Sequence, residues 1–156
     1  MVSEEAFQTF LKATFEHLPL FFSKDAKAAQ VALDDIGYRM ARQLTGQPML
    51  AMPVGDDAVC IFAKPKMPLP KAKLVGVGAA ELFDRFVSEV QSRGFEKAAQ
   101  GTSRPGMRVE TFSAIHPGPI MAVTLMRLIE HHNVLLAAAF PPINLQGTES
   151  VSHQES

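Results

Sequence analysis

Met121-Ala-Val-Thr-Leu-Met-Arg-Leu-Ile129 and Val134-Leu-Leu-Ala-Ala-Ala-Phe140, joined by Glu130-His131-His132-Asn133, admit two readings. As a helix, the first run would start with Pro119 at its first position and end at Asn133. As a strand, it pairs with the second run around the four-residue turn. Val123, Thr124 and Ile129 are β-branched and the two arms are similar in length, so the hairpin is the expected form. The choice reaches beyond this segment. A hairpin enlarges a sheet, whereas a fourth helix would cover one.

Upstream of it the period of the sequence changes. Residues 3–46 repeat their apolar positions every three or four residues, while 49–63 and 107–140 alternate or run apolar in short bursts. Ser3 is the expected cap of a first helix, with Glu4 and Glu5 placed to favour its dipole. Phe7, Phe10, Leu11, Thr14 and Leu18 share one face of it, and Pro19 interrupts or ends it. Ser23 is read as the cap of a second helix with a stripe of Ala29, Ala32, Leu33, Ile36, Met40 and Leu44. Gly46 and Pro48 would end that helix. A third helix follows Gly78, buries Leu82, Phe83, Phe86, Val87 and Val90, and stops at Gly94.

Met49–Val54 and Ala58–Ala63 read as strands around Gly55-Asp56-Asp57. Pro53 makes the first of them an edge strand or shortens it. Residues 64–73 hold three prolines and read as an extended, solvated connection. Residues 100–106 read as a polar loop, 107–112 as a half-exposed strand and 116–119 as a turn. The expected fold is α+β in the order α-α-β-β-α-β-β-β. A mostly antiparallel sheet of about five strands would carry helices on one face. Residues 1–145 would form a single globular domain and 146–156 a disordered polar tail.

Composition narrows the function classes. Apolar residues make up 47% of the chain, so it has the means to bury a core. The charge is nearly balanced, 15 basic against 16 acidic residues, which removes any global drive toward nucleic acid or an anionic membrane. No run approaches the length of a membrane-spanning helix. The one cysteine, Cys60, precludes an internal disulfide and fits a reducing compartment. A cytoplasmic location is expected, or a periplasmic or secreted one if a leader has been cleaved.

Few residues suggest chemistry. Gly76 and Gly78 precede the third helix, with Lys71 and Lys73 just before them. Backbone N–H groups at a helix start, close approach at glycine and two lysines could hold an anion. Glu81 stands where a dinucleotide fingerprint wants its third glycine and would repel phosphate, so the plainer reading is a flexible helix entry. His116, His131 and His132 are candidate polar site residues. The adjacent pair would face opposite ways on a strand and could converge only at a turn. Cys60 sits among Val59, Ile61 and Phe62, which argues for a buried, inert thiol. Catalytic motifs are absent, no metal site is assigned and no cofactor is expected.

Methionines at 49, 52, 107, 121 and 126 fall in expected strands and suit an adaptable apolar surface. The leading expectation is therefore a non-enzymatic binding or interaction domain that self-associates as a homodimer. A small-molecule-binding domain or small enzyme, with a pocket between helices and sheet, is the second reading. The interleaved helices and strands are also similar to bacterial secretion chaperones, a likeness of layout with no motif behind it. That likeness implies an adaptor as the third reading.

Overall fold

The Ser3 hydroxyl accepts the Ala6 N–H at 3.1 Å, and Glu4 and Glu5 occupy the first turn, so α1 (Glu4–Lys12) starts where its capping chemistry lies. The computed structural model describes residues 1–23, 25–42, 48–62, 70–98, 101–128 and 134–142. Phe7, Phe10 and Leu11 of α1 are buried, as their spacing requires. The chain then widens into a π turn (Ala13–His17). The extra residue per turn rotates the following side chains, and both Thr14 and His17 end up buried. A short α2 (Leu20–Ser23) follows Pro19.

Helix α3 (Ala26–Ile36) is capped by Asp25, whose carboxylate accepts the Ala28 N–H at 2.7 Å. Asp25, and not Ser23, is thus the cap. The helix is also shorter than its apolar stripe suggests. Gly37 adopts φ +132°, which side chains rarely reach, and the chain turns into a strand that includes Met40. Leu44 and Gly46 lie outside the described residues. Helix α4 (Phe83–Ser92) is entered through a 3₁₀ turn (Ala79–Leu82) after Gly78. It ends at Gly94, φ +88°, with Phe95 buried beyond it.

The sheet is the main correction. Among the described residues it has nine strands, not five, and every pairing is antiparallel. The strands are β1 (Arg39–Arg42), β2 (Pro48–Val54), β3 (Asp57–Phe62), β4 (Lys71–Val75), β5 (Phe95–Lys97), β6 (Thr102–Arg104), β7 (Met107–Ala114), β8 (Ala122–Leu128) and β9 (Val134–Phe140). Their order is β1-β2-β3-β4-β9-β8-β7-β5, with β6 pairing β7. The hairpin reading of 121–140 holds: β8 and β9 pair from Ala122↔Phe140 to Leu128↔Val134. Strand β2 is not an edge, because β1 pairs with it. Pro53 lies past the end of β1, where no N–H is wanted on that side. The largest surprise is β4. Lys71–Val75 belongs to no solvated connection; it lies between β3 and β9 and joins two antiparallel ribbons into one sheet.

One buried cluster joins α1 and α4 to the sheet. It contains Phe7, Phe10, Phe83, Phe86 and Val90, and from the strands Val59, Ile61, Ala72, Leu74, Phe112, Val123, Leu125, Leu135 and Ala137. The Phe86 ring centre is 4.9 Å from that of Phe10 and meets Phe7 edge-on at 6.2 Å. Each fully buried phenylalanine stabilises the fold by about 1.5–3 kcal/mol. Arg85 of α4 also pairs with Glu4 of α1 at 2.6 Å, which holds the Glu4 carboxyl down at about 2. No described helix is long and apolar enough to cross a membrane. The segments read as a proline-rich connection, as the Glu130–Asn133 turn and as the tail fall outside the described residues for 63–69, 129–133 and 143–156.

Candidate functional site

The strand residues that alternate with the core set form a second surface. Register places Cys60, Lys73, Leu136, Met126 and Val109 in one row across the sheet, and Phe62, Lys71, Ala138, Thr124 and Thr111 in the next. None of these belongs to the cluster shared with the helices. On the adjacent strands β9, β8 and β7 this face carries only Val134, Leu136, Ala138, Phe140, Ala122, Thr124, Met126, Leu128, Met107, Val109, Thr111 and Ser113. No charge occurs among them. The hydroxyls of Thr111 and Thr124 bond to each other at 3.0 Å, which lowers the cost of removing them from water. Leu136, Ala138, Phe140, Thr124 and Met126 are half-buried.

Charge appears at the flanks. Lys71 and Lys73 stand on β4 at one side, Glu96 on β5 at the other, with Arg104 farther along on β6. The Lys73 ammonium lies 5.9 Å from the ring centre of Phe62. Gly76 and Gly78 are not part of this array; they lie in the loop leading to the 3₁₀ turn. Gly76 packs against the Asp57 carboxylate, where a Cβ would collide with Oδ1 and come within 2.8 Å of Val2 Cγ2. The other Asp57 oxygen accepts the Ser3 N–H at 3.0 Å. The lysines stand on β4 and the glycines in the loop that follows it, where the Asp57 carboxylate attends Gly76.

Two grooves open elsewhere. One, of about 230 Å³, lies where the π turn meets the end of α4 and the 114–120 loop. Phe15, Phe95, Pro119 and Ile120 supply its apolar walls, and His116 and Arg93 its polar groups. The Arg93 guanidinium sits 4.9 Å from the Phe15 ring centre and bonds Glu89 at 3.0 Å. His116 is thus placed at a groove, whereas His131 and His132 lie outside the described residues. The other groove, of about 480 Å³, runs between the π turn, α3 and β2, with Lys12, Glu16 and His17 facing Leu20, Ile36 and Met52.

The sequence reading missed His17 and Tyr38. Nδ1 of His17 lies 2.9 Å from the hydroxyl of Tyr38, the chain's only tyrosine, and the rings meet edge-on. Tyr38 is fully buried, and burial pushes its hydroxyl pKa up, with the nearby Cys60 adding to it. Burial also holds the His17 imidazole below its ordinary range; Glu16 partly offsets this and Lys12 adds to it. The available signal was small: His17 falls three residues after Thr14, on the buried stripe. Cys60 is 5% exposed, and burial raises its thiol pKa while Lys73 pulls the other way. Among the described residues no three His, Cys, Asp or Glu side chains gather as a metal site. The chain matches no protein-family model, no curated protein and no solved structure.

Proposed function

We propose that this protein is a non-enzymatic interaction domain that self-associates through the sheet face opposite the α1–α4 core. The observation that carries the reading is the uncharged run of twelve side chains on β9, β8 and β7. Ala122 and Val134 are buried and the other ten keep part of their surface in water, and monomers rarely leave a large contiguous apolar surface there. A second copy related by a two-fold axis is the commonest cover. The flanks favour such a partner. A two-fold along the strand direction would lay the Lys71 and Lys73 side of one copy over the Glu96 and Arg104 side of the other, which brings Lys71 toward Glu96 and keeps the charges at the rim of an apolar centre. The helices would then lie on the two outer faces of the dimer.

Sedimentation of the purified chain at micromolar concentration tests this. The expected result is a dimer mass for the wild type and a monomer mass for Met126→Lys with unchanged far-ultraviolet circular dichroism. A monomeric wild type across that range would remove the proposal. A second reading, a small apolar ligand in the 230 Å³ groove with His116 beside it, rests on the four aromatic and aliphatic walls there. Native mass spectrometry reports both outcomes, since a retained ligand adds mass to a monomer and association doubles it.

A further inference from the structure

The face of the sheet that packs on α4 carries an arginine pair that the core does not require. Strands β7 and β8 set Arg108 directly opposite Arg127. Like charges in that relation destabilise a sheet unless something answers them. Both guanidiniums lie against the ring of Phe83, the first residue of α4, at 4.6 Å for Arg108 and 5.9 Å for Arg127. One aromatic ring thus orients two planar cations.

Their counter-charges are unequal. Arg108 donates to Asp84 at 3.0 Å and to Glu110 at 3.3 Å. Glu110 is buried, and the same oxygen already accepts Lys97 at 3.1 Å. Asp84 is largely exposed, so its pairing is weak. Arg127 makes no ion pair among the described residues, and its buried Nε has no hydrogen-bond partner. Among the described residues, Lys97, Arg108 and Arg127 therefore face two carboxylates, and one positive charge is in excess. A buried guanidinium N–H left unpaired costs free energy that an oxyanion would recover. The Arg108 side chain is 31% exposed and Arg127 is half-buried, so an anion can reach the pair from solvent.

We propose that Arg108 and Arg127, stacked on Phe83, form a binding site for a phosphoryl group. Two planar forks present several N–H donors to one tetrahedral dianion, a task for which a single lysine is less suited. Asp84 and Glu110 hold Arg108 in place, while Arg127 supplies a second guanidinium that has no carboxylate among the described residues. The source of the phosphoryl group, free phosphate or a phosphate ester, is left to competition between the two.

The test uses the full chain with inorganic phosphate, compared with chloride at matched ionic strength. Phosphate is expected to raise the thermal midpoint beyond the chloride control and to shift the Arg127 Nε–H resonance in a ¹H–¹⁵N spectrum. Arg127→Gln should weaken phosphate binding by about tenfold or more. Arg85→Gln, which removes an arginine already paired with Glu4, should leave it intact. A phosphate ester that displaces phosphate would name the ester as the better ligand. No phosphate-specific shift in the wild type would overturn the proposal, as would binding that survives both Arg108→Gln and Arg127→Gln. A response that appears only in Glu130→Gln would assign Arg127 to a carboxylate of its own chain and also overturn it. If Arg127→Gln fails to fold, the wild-type Nε–H titration decides alone.

Discussion

His17 couples proton uptake to folding. Its imidazole is held below the ordinary 6.5 by burial, so the unfolded chain binds a proton that the native one resists. The stability this group permits is complete above 6.5 and falls as pH drops through that value toward the folded pKa. The urea midpoint of the wild type should therefore fall more between pH 8 and pH 5 than that of His17→Gln. Equal falls would acquit His17. At Gly76 the constraint is space. A methyl group there meets the Asp57 carboxylate, which also holds the Ser3 N–H, so Gly76→Ala should lower stability by about 1–3 kcal/mol in denaturant unfolding. The sequence offered Gly76 as a place for a ligand's close approach; the close approach belongs instead to the protein's own carboxylate.

At the scale of elements, legibility followed local chemistry. The α1 face, the third helix and the β8–β9 hairpin were readable because side-chain period and caps act within a few residues. Helix α3 was overextended because Ile36, Met40 and Leu44 continue a helical spacing through Gly37. The glycine turns the chain before that spacing is used. Gly37→Ala should therefore cost about 1–2 kcal/mol, since φ +132° is strained for alanine and Met52 Sδ lies 3.2 Å from the added Cβ. Gly118→Ala, with nothing within 4 Å, is the control and should change stability little. Strand β4 escaped notice for a different reason. Lys71, Lys73 and the nearby prolines resemble a solvated linker, and only pairing with β3 and β9 makes them a strand. The pairing with β9 joins residues more than sixty apart in the chain, which no local pattern reports.

For the whole molecule, Cys60 is a convenient reporter. It is buried within a single chain, with a thiol pKa raised by that burial, so a thiol reagent should label it slowly in the native protein and rapidly after denaturation; rapid native labelling would show that β3 opens to solvent. The Arg108–Arg127 pair could not have been found from sequence, because the residues lie nineteen apart and become neighbours only through the β7–β8 register. The same holds for His17 and Tyr38, joined by a π turn that carries no sequence signature. What the sequence determined alone was the α+β class, the burial of the first and third helices and the position of the C-terminal hairpin. Each rests on periodicity and capping, which are short-range. What only the tertiary structure decided was the size of the sheet, the face each polar residue occupies and which charges meet. Those depend on long-range strand register, where a shift of one residue would exchange the two faces.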